Sequence, residues 1–380
     1  MRRFDKIFYF LLYLFINFLF IYKYGVRQDY INEFILITVY SILFFAFFYL
    51  LNKVKLKESI SKIIYFSTVT LFFIFTVYIN FKIDGNNLNV DRWSAMENSI
   101  IALFNHQYPY TSIDHLNGRS SNLPGLIIIG IPFYLIGNIG FLQSFTFLLF
   151  SYTIYYSLQN FKAKILGLFL LIFSVSFLWE VYVKSDLMSN FIIILSFISL
   201  WFFKYNNIHL KKTTLLALLS SFLLFTRLVS IIPLTLLIFK AFINSNLNKK
   251  VIYIISSILT LSILTFIVLQ NCPSIDIFKN NNPITLQNRQ LPFFISFFMV
   301  VIPFYFSMKV NFLEDLIRYS LIFLFIPVII SFLISIFNNG FFNIIHHSAF
   351  DISYFNIVMP FLIYYIAIKY NNYFEANLKA

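Results

Sequence analysis

Between Asp84 and Asn122 the chain gathers Asp84, Asp91, Glu97, Asp114, Arg92, Arg119, His106 and His115, and so four of its fifteen acidic residues. Carboxylates and imidazoles move protons, and guanidinium groups hold anions, so a stretch of this make-up has the means for acid–base chemistry. Smaller groups of the same kind follow. Glu180, Lys184 and Asp186 share a short segment, Arg227 stands between two apolar runs, and Arg289, His346, His347 and Asp351 flank later helix ends. Each has a plain structural alternative. Asp91 or Asn89 can cap a helix, as Asp186 can with Ser185. Lys184 can pair with Glu180, and Arg227 can snorkel to lipid headgroups.

The elements that must position these groups are apolar. The chain is 60% hydrophobic, 21% aromatic and 11% charged, with a mean hydropathy of +0.81. Apolar runs fall near 7–22, 33–51, 63–81, 139–158, 165–181, 187–203, 213–226, 228–243, 250–269, 291–308, 315–337 and 354–370. In lipid each run must satisfy its own backbone hydrogen bonds, and none alternates as a barrel strand does. The expected fold is therefore an all-α polytopic membrane protein, a single integral membrane domain over residues 1–380. A lone cysteine, Cys272, excludes an internal disulfide, and the five histidines show no zinc-ligand spacing.

A thirteenth run, Leu123 to Ile136, is short for a bilayer and carries Pro124, Gly125, Gly130 and Pro132. Reading it as a juxtamembrane or re-entrant helix leaves 19 of the 28 Lys and Arg residues on the N-terminal side of the membrane and 9 on the other. By the positive-inside rule that side is cytoplasmic, giving about 12 spans and a large external loop over 82–138. The Met1-Arg2-Arg3 start is read as leading an uncleaved first helix, because no small-residue cleavage site follows Tyr22. Ten of the fifteen acids then lie outside. The net charge of +13 is assigned to topology and to anionic lipid rather than to nucleic acid.

Within the loop, Asp91 to Phe104 reads as an amphipathic helix, with Trp93, Met96, Ile100 and Leu103 or Phe104 at helical spacing. His106-Gln107-Tyr108-Pro109-Tyr110 follows as a rigid aromatic turn, and Asn122-Leu123-Pro124-Gly125 enters the broken apolar helix. This order of elements, over roughly residues 63–243, resembles the GT-C superfamily of membrane glycosyltransferases. It looks most like the bacterial polyprenyl-phosphate-sugar-dependent, mannosyltransferase-like members.

The resemblance implies a catalytic acid in the first external loop, matched here by Asp91, with Asp84 as runner-up. It implies a second acidic group near Asp186 or Glu180. It also implies cations for a polyprenyl phosphate leaving group, matched by Arg227, Arg289 and Lys184. Tyr108, Tyr110, His346 and His347 are candidates for substrate contact. Residues 139–243 would complete the shared helical module, and 244–380 would be the variable C-terminal helices. The implied activity is inverting transfer from a polyprenyl-phosphate sugar to a glycan or lipid acceptor outside a bacterial cytoplasmic membrane, as a step of cell-envelope glycan assembly. No cofactor is expected, and Asp91 has no acidic neighbour two residues away that would suggest a metal. Two other classes compete. A transporter or flippase of lipid-linked saccharides needs charges inside its spans, and these are nearly charge-free. Another surface-glycan enzyme, such as an O-antigen-polymerase-like one, would place its chief loop in the second half.

Overall fold

The computed structural model describes residues 3–54, 57–287 and 292–379; Arg289 lies outside them. The chain opens with α1 (Arg3–Gly25), α2 (Glu33–Lys53) and α3 (Glu58–Lys82). The polar stretch holds α4 (Arg92–Phe104) and α5 (Pro124–Leu135). Then come α6 (Phe141–Ser157), α7 (Phe161–Ile172), α8 (Val175–Val183), α9 (Leu187–Tyr205), α10 (Thr213–Leu224), α11 (Ile231–Ile243) and α12 (Leu247–Leu269). Two short helices, α13 (Ile275–Asn280) and α14 (Pro283–Gln287), precede α15 (Phe293–Ser307), α16 (Leu313–His346) and α17 (Met359–Lys379). Among the described residues there is no strand, only an isolated bridge between Ile113 and Arg119.

Among the described residues seven helical segments are long and apolar enough to cross a membrane, and the bent pair α7–α8, counted as one span, makes eight. The chain is an all-α polytopic membrane protein. Its apolar faces sort by depth. In the most apolar windows of α2 and of α12 only 11% of residues are buried against the chain, whereas in the last span it is 89% and in α9 72%. So α9 and α17 form the centre, and α2 and α12 turn their side chains outward, as helices facing lipid do.

Two expectations need correction. The run 165–181 is not one straight helix, because α7 and α8 meet at 53° across Phe173 and Ser174. The break is held by side chains that occupy the free N–H groups of α8: Val175 N donates to Asn17 Oδ1 at 2.7 Å, and Phe177 N to Ser174 Oγ at 3.4 Å. The run 315–337 belongs to a longer helix, which continues to His346 past a non-helical Gly340 at φ +78°.

Polar bonds tie the interhelical loops into two sets. In one set, Asn371 accepts from the backbone of Gln159 and Asn160, His209 contacts Asn244 O, and Asn207 and Lys240 donate to Val310 O. In the other, the polar stretch meets the segments around Asp186, Arg227, Asn281 and Asp351. Both ends of α5 belong to this second set. Gly125 N donates to Phe225 O at 2.8 Å at its start, and Asn138 Nδ2 to Asn80 O at 3.0 Å just past its end. Gly125 is required there, since a Cβ would stand 2.6 Å from Phe222 O and 2.8 Å from Phe225 O.

Candidate functional site

Asp91 occupies the N-cap position of α4, yet its carboxylate makes no capping bond. The neighbouring Arg92 turns away and donates to Asp351 Oδ2 at 2.6 Å and to Ser353 Oγ at 2.9 Å. No side chain among the described residues donates to the Asp91 carboxylate. Burial pushes its pKa up; Arg92 opposes this, and the carboxylates of Asp114 and Asp351 add to it. Asp351 runs the other way. Burial would raise its carboxyl, but Arg92 and Ser353 outweigh that and hold it below the usual range. One carboxylate is thus tied into a network while its neighbour stays uncommitted and basic.

Asp186 and Arg227, singled out separately in the sequence, are a buried ion pair. Arg227 Nη2 donates to Asp186 Oδ2 at 2.8 Å and to Asn122 Oδ1 at 2.9 Å. Asp186 does not cap α9. Glu180 does that work, accepting from Met188 N and Ser189 N at 2.8 Å each and from Asn356 Nδ2 at 2.9 Å. Glu180 is therefore committed to structure and does not pair with Lys184. The pair is incompletely satisfied, because Asp186 Oδ1 and Arg227 Nε are buried without partners. Each such orphan leaves a polar atom free for a ligand group or water. Arg92 also feels the Asp186 carboxylate, so the two groups lie within electrostatic range of each other through Arg92.

An apolar cavity of about 160 Å³ ends at Arg227. Its walls are Ile231, Met299, Leu324 and Val328 among others, from α11, α15 and α16. Its polar end is Arg227, Ser121, Gln287 and Tyr354. Gln287 fixes that end, accepting from Leu228 N at 2.9 Å and donating to Ser121 O at 2.5 Å. A charged head and an apolar shaft together suit an amphiphile with an anionic headgroup.

The other candidates lie elsewhere. Lys184 and Asp84 line a separate polar chamber with Glu97, Asp114 and His115. Asp84 Oδ1 also accepts from Asn86 N at 3.0 Å, a local turn. Tyr108 and Tyr110, candidates for substrate contact, pack inward: both rings are buried, edge to face at 5.4 Å, beside Met96, Ile100 and Leu126. Burial raises the pKa of both phenols. His346 and His347 are exposed at the end of α16, where the Phe342 ring stacks on His346 at 4.1 Å. Among the described residues no three His, Cys, Asp or Glu side chains are grouped to hold a metal ion.

Sequence reasoning passed over Arg92, Asn122, Gln287 and Ser353 as site residues. Arg92 did leave a signal, since a cation in the first turn of a helix opposes the helix dipole and needs a local anion. Gln287 and Asn122 left none. Set beside family models, curated proteins and solved structures, the chain matches none of them.

Proposed function

We propose that this protein is an integral membrane glycosyltransferase that moves a sugar from a polyprenyl phosphate to an acceptor on the outer face of the membrane. The observation that carries the reading is the apolar cavity closed by a buried, incompletely satisfied Arg227, together with the uncommitted Asp91 beside Arg92 on the same polar stretch. The prenyl chain lies in the shaft and its phosphate meets the guanidinium. Asp91 takes the proton of an acceptor hydroxyl, and that oxygen attacks the anomeric carbon. The bond from that carbon to the phosphate oxygen breaks, and its electron pair leaves with the phosphate, where Arg227 offsets the charge. Lys184 falls outside this scheme, because it faces the polar chamber. The two sets of tied loops support twelve crossings: the eight, joined by α6, α10, α11 and α15, with the N-terminus cytoplasmic and α4 and α5 held at the outer face.

The test is transfer in reconstituted vesicles. Membranes from an expressing strain supply labelled polyprenyl-phosphate sugars, and Asp91→Asn is compared with the unaltered protein. The expected result is a loss of transfer of at least 100-fold, the order of a missing general base, with normal insertion. Full residual transfer sinks the reading.

A further inference from the structure

The polar chamber beside α4 has about 410 Å³ of free volume, within the roughly 300–1,000 Å³ span of small-molecule sites. One face of α4 forms its wall, with Trp93, Ser94, Glu97, Asn98 and Ile101 recurring at helical spacing. Two of its lining residues carry buried polar atoms without partners. Asp114 is 5% exposed; its Oδ1 is used by Leu116 N and Gly118 N at 2.8 Å each, but its Oδ2 has no donor. The Trp93 indole Nε1–H has no acceptor. Across from them, Lys184 is 7% exposed and held at φ +54° by the end of α8.

We propose that this chamber binds a neutral, hydroxyl-rich saccharide, the acceptor glycan of the transfer reaction; the proposal rests on the reading above. The ligand class follows from the lining. Carboxylate and carboxamide groups outnumber apolar side chains, so a lipid tail finds little to bury against. Asp84, Glu97 and Asp114 against Lys184 leave a formal charge of −2, which repels uronates and phosphates. The orphaned carboxylate oxygen and indole N–H supply one acceptor and one donor, the complement of a sugar hydroxyl pair. The acceptor role follows from Gly118. A Cβ there would stand 2.5 Å from Asp114 Oδ2 and 3.2 Å from Asp91 Oδ2. The chamber's free carboxylate and the proposed base therefore border the same point, and a hydroxyl held by one lies beside the other.

The test uses the full chain in lipid nanodiscs against an immobilised panel of neutral, uronate-containing and free-amine oligosaccharides. Retention of neutral glycans is expected, weakened at least tenfold by Asp114→Asn and by Glu97→Gln. Trp93→Phe, which removes only the indole N–H and some ring area, serves as a gentler variant with the same expected direction, and thermal unfolding of each variant checks the fold. The proposal is overturned if no neutral glycan is retained, if uronates or amines are retained better, or if retention survives in variants that fold normally. The two readings fail separately. Neutral glycan retained alongside full transfer by Asp91→Asn removes the catalytic scheme and leaves the chamber standing. Transfer abolished by Asp91→Asn with the acceptor KM unmoved by the chamber variants removes the chamber alone.

Discussion

At the scale of the residue, Asp91 is held at odds with folding. Burial raises its folded pKa above the unfolded value, so the protonated form is the one the fold favours. The associated stability is complete below the unfolded value and is lost as pH rises through the raised folded value. Asp91→Asn, neutral at every pH, should therefore unfold about 1–2 °C higher than the parent at pH 7. That gain should vanish near pH 3, as differential scanning calorimetry in detergent would report. Catalysis has the opposite requirement: a base must be ionised. Transfer should fall as pH drops through the raised pKa of Asp91, with the acid limb displaced upward from the ordinary carboxylate range. An acid limb at the unshifted position would count against Asp91 as the base.

At the scale of the element, the start of α9 depends on Glu180, whose carboxylate receives two helix N–H groups and the Asn356 amide. Glu180→Ala strands three buried donors, and at about 1–3 kcal/mol for each unmet group the cost is several kcal/mol. Because α9 begins immediately after Asp186, the Asp186–Arg227 contact should loosen as well. The expected outcome is a lower unfolding temperature together with lost transfer, whereas Glu180→Gln, which keeps one acceptor oxygen, should lose less of both. This is also where the sequence was hardest to read. The period and the start of α4 were legible, since they depend on residues within a few positions of one another, although the expected capping bond from Asp91 does not form. The break between α7 and α8 was not, because the side chain that stabilises it, Asn17, lies on α1. The same reason hid the site. Asp91, Asp186 and Arg227 could be singled out as charges in an apolar chain, but the pairing of two of them, and the escape of Asp186 from capping, are set by tertiary packing.

At the scale of the whole molecule, the proposed topology puts the two sets of tied loops on opposite faces, and the single cysteine offers a reporter of which is which. Cys272 sits between α12 and α13, in the set that includes Asp91, and is partly exposed. In intact cells a membrane-impermeant maleimide should label Cys272. A cysteine placed at Asn206, in the other set, in a Cys272→Ser background should react only after the membrane is opened. The reverse pattern would invert the proposed topology and put the site on the cytoplasmic side. Overall class was the part most visible in the sequence, because apolar runs of bilayer length answer to a local constraint, the need of each span to bond its own backbone.

The bond between Arg92 and Asp351 spans 259 positions of the chain. During synthesis at about 5–20 residues per second, Arg92 leaves the ribosome some 10–50 s before its partner exists. For that interval the first turn of α4 carries an unmatched cation beside a carboxylate with no other ally. The polar stretch must wait at the membrane surface in some provisional pose, its charges answered by each other and by water, until the last hairpin arrives. Completeness of translation is thereby written into the site itself: a chain cut short before Asp351, anywhere up to the end of α16, carries every residue of the α4 segment and lacks the anion that turns Arg92 away from Asp91.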